Sequence, residues 1–343
     1  MLPFSFNYLE YLLTHPNEQP GASTCMPDGS TMRLVGVGVI QVTPAHLHAQ
    51  HKAIVLSAGI HGNETAPIEW LNTLLNDLLD GHLQICHPLL LIFGHPLAMV
   101  AKSRELKFNL NRLFAGAHTQ HPEDGEHQRA AQLERWMADF YALWPNAVRL
   151  HYDLHTAIRE SIHEKFAVAP YIPERAHDLS QLAFLQKCGV DCVLFFHQAT
   201  TTFSYHSAAT HQAFAFTIEL GRVHPFGQND MRRLQLLDQA VRALITTPVI
   251  DWGKPDWQRC CWFRVTDVII RKQANFRLNF PDELSNFTEF YDGDVLAYQD
   301  EQMVRVENGP KSVVFPNANV QVGQRAALLV QAMSQDECQQ LNQ

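Results

Sequence analysis

The sequence contains no apolar run long enough to span a bilayer, no low-complexity tract and no repeat at a solenoid period, so a membrane protein, a disordered scaffold and a repeat array are set aside. Charge is also sparse. Asp, Glu, Lys and Arg make up 18% of the 343 residues and the formal net charge is −9, so there is no basic face for a phosphate backbone and nucleic acid is excluded as a partner. The amino terminus, Met1 to Asn7, has neither the basic start nor the small-residue cleavage site of a signal peptide. The seven cysteines (25, 86, 188, 192, 260, 261 and 338) are odd in number and irregularly spaced. They argue for free thiols in a reducing compartment, and cytoplasm is the expected location. Cys188 and Cys192, at helical spacing across Gly189, are read as small buried hydrophobes. Two zinc signatures are missing: there is no His-Glu-x-x-His helix and no paired Cys-x-x-Cys.

Hydrophobic residues make up 46% of the chain, enough for one large core and a second, smaller one. Residues 9–13 read as a short helix, followed by a loop through Asn17, Pro20 and Gly21. The β-branched run 32–43 reads as an edge or hairpin strand ending at Pro44, and 53–56 as a buried strand. From Ile68 the apolar residues recur as Leu71, Leu74, Leu75, Leu78 and Leu79, so the spacing predicts a helix with Pro67 in its first turn and Gly81 as its stop. Strands at 89–93, 149–157, 166–169, 193–196 and 213–220 then alternate with helices marked by Leu133, Trp136, Met137 and Phe140, by Leu179, Leu182 and Ala183, and by Met231, Leu234, Leu237, Val241 and Leu244. Such alternation predicts an α/β fold with a mixed, mostly parallel sheet covered by helices on both faces. After Pro255 the runs become short and β-rich (262–271, 295–298, 304–307 and 313–315), broken by turns at Asp292-Gly293-Asp294 and Asn308-Gly309-Pro310. The expected organisation is a catalytic α/β domain over 1–254 and a small β domain over 255–343, whose polar tail from Gln335 is expected to fray.

Chemistry concentrates where strands end. Ser57-Ala58-Gly59-Ile60-His61-Gly62-Asn63-Glu64-Thr65 puts a histidine and a carboxylate three residues apart between a strand and a helix, the place where open α/β sheets bind ligands. Taken alone, the turn is equally readable as capping by Asn63 or Thr65 with His61 on the surface. A second strand tips the balance. In 149–157 Leu150, Tyr152 and Leu154 share one face and His151, Asp153 and His155 the other, so another strand end delivers a histidine. His61, Glu64 and His155 make the two-histidine, one-carboxylate set that catalytic zinc uses, with a position left for water. The basic stretch 103–112 adds Arg104, a candidate to stabilise the oxyanion of a cleaved amide, and Arg112 beside Asn111, candidates for a substrate carboxylate. Glu219 interrupts an apolar strand just before Gly221, an expensive place for a charge unless it is used, and is the candidate general base and acid.

These residues resemble the aspartoacylase and succinylglutamate desuccinylase branch of the zinc carboxypeptidase superfamily. The likeness rests on His61-x-x-Glu64, Arg104 with Asn111-Arg112, the distant His155 and Glu219, and on the wording of 59–67, 153–159, 219–221 and 225–230. It extends to 286–288, 296–297 and 314–317 in the β-rich part. One departure is Asn109, where the wider superfamily often has Asp; a neutral amide raises the basicity of a neighbouring metal histidine less than a carboxylate does. The resemblance implies one Zn2+ per chain and hydrolysis of N-succinylglutamate to succinate and glutamate in bacterial arginine breakdown by the succinyl route. Residue chemistry alone leaves open an aspartoacylase-like deacylase, a metallocarboxypeptidase, or a metal-binding protein without catalysis. The expected partner is a small anionic N-acyl amino acid, with self-association into a homo-oligomer left open. A triply anionic substrate needs further cations, and at least one of Arg159, Lys165 and Arg222 is expected to point into the cleft, with neutral donors from 200–205.

Overall fold

The computed structural model describes residues 7–17, 21–173, 175–300 and 302–341; the readings of residues 1–6 and of Pro20 lie outside that set. The first half of the chain forms α1 (Tyr8–Thr14), β1 (Ser23–Cys25), β2 (Thr31–Gly36), β3 (Val39–Thr43), β4 (Lys52–Ala58), α2 (Thr65–Leu79), β5 (Leu89–Phe93), α3 (Pro96–Val100), α4 (Gly125–Leu143) and β6 (Val148–Ala157). There follow β7 (Lys165–Ala169), α5 (Leu179–Lys187), β8 (Cys192–Phe195), α6 (Phe203–His211), β9 (Phe214–Arg222) and α7 (Gln235–Thr246). The remainder is β10 (Cys261–Ile270), β11 (Arg277–Leu278), β12 (Thr288–Phe290), β13 (Val295–Gln299), β14 (Gln302–Arg305), β15 (Lys311–Val314), β16 (Arg325–Ala332) and α8 (Gln335–Gln339).

The sheet runs in the order β1-β2-β3-β5-β4-β6-β9-β7-β8-β10-β16-β15-β12. Its heart, β5-β4-β6-β9, is parallel, whereas β7 lies antiparallel to β9, and β8 and β10 run parallel to β7 and so opposite to that heart. The central strands are apolar along their whole length because both faces are covered. Ile54, Leu56 and Ala58 of β4 pack with Leu71, Leu74 and Leu75 of α2, while Ala53 and Val55 face Leu133, Met137 and Phe140 of α4.

Four local expectations change. The run 32–43 is two strands, because the chain reverses at Val37-Gly38, where Gly38 has φ +68°, so β2 and β3 pair as a hairpin. Helices α3 and α6, each one to three turns long, were hidden by their brevity. The tail is ordered as far as α8, where Ser334 and Glu337 form a capping box and Cys338 is buried. Cys188 and Cys192 are buried thiols as expected, but Gly189 (φ +84°) ends α5 between them, so one closes a helix and the other opens a strand.

The β-rich part is not strung on a linker. β10 pairs with β8 through Cys261 to Arg264 and with β16 from Phe263 to Ile270, so one strand belongs to both regions. A small sheet, β11-β13-β14, lies beyond it over its own core of Ile269, Phe276, Leu296, Val306 and Leu329. A separate cluster joins Phe166 and Leu194 to Val265, Phe287, Val314 and Leu328 across the junction. Buried Asn286 adds a clasp: its backbone N–H donates to Glu160 O (2.9 Å), its carbonyl accepts from Ile162 N (3.1 Å), and its side chain accepts from Phe315 N (2.8 Å). No helix among the described residues is long and apolar enough to cross a membrane.

Candidate active site

β4 ends at Ala58 and the chain must turn sharply to start α2, because His61 and Glu64 lie on the bend. Gly59 supplies the left-handed backbone (φ +70°), and a Cβ on Gly62 would collide with the backbone of Ala98 and Met99, so only glycine lets the turn sit against α3. Neither Asn63 nor Thr65 caps α2; Thr65 Oγ1 instead donates to His224 O at 2.6 Å. His61 is 3% exposed, which removes the surface-histidine alternative. In β6 the alternation holds: Leu150, Tyr152 and Leu154 enter the core on the α2 side, and His155 arrives beside Glu219, its register partner in β9.

His61, Glu64 and His155 converge. His61 Nδ1 lies 2.7 Å from Glu64 Oε1 and His155 Nδ1 lies 2.9 Å from Glu64 Oε2, all three residues being buried. The outer nitrogen of each ring is held as well: His61 Nε2 by Asn109 Oδ1 (3.0 Å) and His155 Nε2 by Asp153 Oδ2 (2.9 Å). Each outer nitrogen therefore faces an acceptor and each Nδ1 faces the shared carboxylate; two imidazole nitrogens and one carboxylate so directed can hold a metal ion once the rings give up their inner protons. At His61 the orienting group is the neutral carbonyl of Asn109, which also accepts Asn111 N–H, so geometry is kept without the extra charge.

Behind His155 the bonds continue. Asp153 Oδ1 accepts the Ser57 hydroxyl (2.6 Å), and Ser57 Oγ accepts His151 Nε2 (2.8 Å), an arrangement the strand register creates by pairing Ser57 with Asp153. Burial alone works against charge on His155, but the carboxylates of Asp153 and Glu64 outweigh it and hold its pKa well above the usual histidine value. His61 goes the other way, down to about 4, through burial and the charge of Arg104. Arg104 Nη1 donates to Glu64 Oε1 at 2.6 Å, which puts its guanidinium beside the three donors. Glu219 is 6% exposed with Oε2 buried and unbonded, and burial followed by the charge of Glu64 pushes its carboxyl up to about 7.

These groups line a cavity of about 300 Å³ together with Asn109, Asn111, Arg112 and Arg159. Arg112 donates to its neighbour's carbonyl, Asn111 O (2.9 Å), and has no carboxylate partner among the described residues. Asn111 Oδ1 accepts Phe203 N–H (3.0 Å), fixing the start of α6, and Thr200, Thr202 and Ser204 line the wall beside it. Of the three cations of which at least one is expected in the cleft, Arg159 reaches the cavity, with Asp282 at 3.7 Å and a buried, unbonded Nη1. Lys165 and Arg222 do not line it: Lys165 Nζ donates to Arg233 O, and Arg222 forms an exposed pair with Glu160 at 2.5 Å. The pleat turns those two side chains away.

Two residues that sequence reasoning passed over matter here. Glu126, in the first turn of α4, is 4% exposed and accepts the backbone N–H groups of Leu106, Lys107 and Phe108 (2.7–3.1 Å) and His95 Nε2 (3.2 Å), so it shapes the loop carrying Arg104, Asn109 and Arg112. Its only signal was an acidic residue opening a helix, which reads as dipole chemistry. The other is Arg325 at the start of β16, which enters the same cavity from the β-rich side. No local signal marked it.

A family model described as "Succinylglutamate desuccinylase/Aspartoacylase catalytic domain" matches residues 50–245, and one described as "AstE/AspA barrel-sandwich hybrid domain" matches 258–333. The chain is 43% identical over 328 residues to the succinylglutamate desuccinylase of Shewanella frigidimarina, covering 94% of each chain. Among solved structures it is similar to the succinylglutamate desuccinylase of Chromobacterium violaceum (TM-score 0.84, 37% identity, 95% of this chain and 97% of that one). It is also similar to the enzyme of that name from Vibrio cholerae (TM-score 0.83, 34% identity, 94% of each chain).

Proposed function

The chain belongs to the succinylglutamate desuccinylase/aspartoacylase family and is a hydrolase, and from that premise we propose that it cleaves the amide bond of N2-succinyl-L-glutamate to succinate and L-glutamate. The reading includes one zinc ion per chain, a cytoplasmic location and the final step of arginine breakdown by the succinyl route. It also divides the chain near residue 255 into a catalytic α/β domain and a β-rich one. The observation that carries it is the meeting, in one cavity, of three convergent metal donors, an unbonded buried carboxylate and a set of arginines.

His61, Glu64 and His155 would hold the ion, and their nitrogen and carboxylate donors with a position left open suit zinc. A zinc ion held by them would supply Lewis-acid polarisation of the scissile carbonyl and a lowered pKa for water. Glu219 takes a proton from the attacking water and returns it to the leaving amine, a task open to a buried carboxyl that no described residue bonds. Arg104, already fixed beside the donors by Glu64, directs its remaining N–H groups at the oxygen on which negative charge develops. Asn111 and Arg112 take the α-carboxylate of the amino acid, and Arg159 takes the acyl carboxylate from the β6 side.

Turnover of succinylglutamate, acetylaspartate and a dipeptide by the zinc-loaded protein tests this. Succinylglutamate is expected to be hydrolysed far faster than the other two. Preference for acetylaspartate or the dipeptide would overturn the substrate, and no turnover of any would overturn the reaction.

A further inference from the structure

Arg325 is a cation that no described residue neutralises. Its side chain forms no hydrogen bond or ion pair with any described residue, and its guanidinium lies 5.9 Å from the centre of the Phe196 ring. The other arginines of the cavity differ: Arg104 is bonded to Glu64, Arg159 has Asp282 nearby, and Arg112 donates to a backbone carbonyl. Arg325 is also placed deliberately. The ladder between β16 and β10 pairs it with Ile270, and the backbone bond from Asn317 N to Ala326 O (2.7 Å) ties the preceding loop down beside it.

Arg112 and Arg325 line the same cavity, both half-buried, and burial followed by the charge of Arg112 pushes the pKa of Arg325 well below the usual arginine value. Like charges brought together where solvent is partly excluded are costly unless an anion completes them. The carboxylates lining this cavity are Glu64, already bonded to Arg104, and Glu219; Glu105, outside the lining, acts on Arg112, and no carboxylate among the described residues pairs with Arg325. The anion must then come with the ligand.

We propose that Arg325 binds the side-chain carboxylate of the amino-acid half of the substrate, beside the α-carboxylate on Arg112, so that the β-rich region sets the choice of amino acid; this rests on the function proposed above. The choice of carboxylate follows from adjacency. In succinylglutamate the two carboxylates of glutamate are joined through a short carbon chain, which suits two neighbouring arginines, whereas the acyl carboxylate lies on the far side of the amide. Arg112 alone would accept any acyl amino acid. With Arg325 added, a neutral side chain leaves a half-buried guanidinium uncompensated, and that penalty is the source of selectivity.

The test is calorimetric, so that it does not depend on turnover. Glu219→Gln protein, with and without Arg325→Gln, is titrated with N-succinyl-L-glutamate and N-succinyl-L-glutamine. Arg325→Gln is expected to weaken succinylglutamate by roughly 30-fold and succinylglutamine by less than about threefold, as befits loss of one charge-assisted contact. Arg325→Lys, which keeps charge but not the fork, should fall between. Equal loss on both ligands, no loss on either, or no measurable binding overturns the clamp. If the pattern holds while wild-type protein hydrolyses neither compound, the proposed reaction fails and the clamp stands. If wild-type protein hydrolyses succinylglutamate but Arg325→Gln weakens both ligands alike, the clamp fails and the reaction stands.

Discussion

The two walls of the cavity are built on opposite principles. On the metal-facing wall one hydrogen-bonded chain runs from His151 through Ser57, Asp153, His155 and Glu64 to His61 and Asn109, with Arg104 joined to Glu64 at the side. On the far wall Arg112 and Arg325 stand with almost nothing bonded to their charged ends. Self-satisfied groups hold a geometry before any ligand arrives, and unsatisfied ones make a geometry complete only when the ligand supplies the missing partner. On the function proposed above, the difference would separate what orients the chemistry from what selects the substrate.

Substitutions on the two walls should therefore fail differently. The largest effect is expected from His155→Ala, which removes a donor and the end of the Asp153 bond; metal analysis should find well below one zinc per chain in protein whose circular dichroism is unchanged. A full complement of zinc would remove His155 from the donor set. Next comes Glu219→Gln, which keeps shape and removes the proton acceptor: kcat should fall by roughly 100-fold or more while substrate still binds. Unchanged turnover would take Glu219 out of the mechanism. On the far wall Arg112→Ala is expected to act chiefly on KM, raising it by about tenfold or more with a smaller change in kcat, because a carboxylate clamp acts in the ground state as well as the transition state. A loss confined to kcat would erase the distinction between the walls.

The smallest effect sharpens the comparison through stability. Hydrogen bonds from His95 and three backbone amides outweigh the burial of Glu126 and hold its carboxyl down to about 2, against 4.5 for an unperturbed glutamate. A depressed carboxylate stabilises the fold fully above pH 4.5 and stops doing so as the pH falls towards 2. Glu126→Gln should thus cost about 1–3 kcal/mol at pH 7 in denaturant titrations, and the gap to wild type should close over that acid window. A gap independent of pH would mean that charge on Glu126 plays no part in shaping the loop.

The donors were legible because each lies within a few residues of a strand end, where period and turn chemistry are local. Asp153 was legible in principle, two residues before His155 and therefore on the same face, although its bond to Ser57 required the register between β4 and β6. Arg325 was not legible by any local rule. It reaches the cavity because β16 pairs with β10, some sixty residues earlier in the chain, and a run of Arg325-Ala326-Ala327-Leu328 otherwise reads as a strand opening with a surface charge. Arg159 meets the expectation that at least one further cation enters the cleft, while Lys165 and Arg222 show why sequence could not choose among the three, since closeness to His155 or Glu219 says nothing of which way the pleat turns a side chain.

The strand shared by both regions has a mechanical consequence. For the β-rich region that carries Arg325 to swing from the strands that carry His155 and Glu219, β10 would have to peel from β8, and the apolar cluster around Phe166, Leu194 and Val314 would have to open to water. The mouth is then a fixed aperture rather than a jaw, and ligands enter and leave by diffusion past side chains instead of waiting on a slow hinge. Two small, highly hydrated acids escaping through such an aperture make the traffic sensitive to the microviscosity of the solvent and to its ionic strength, and insensitive to agents that merely loosen linkers.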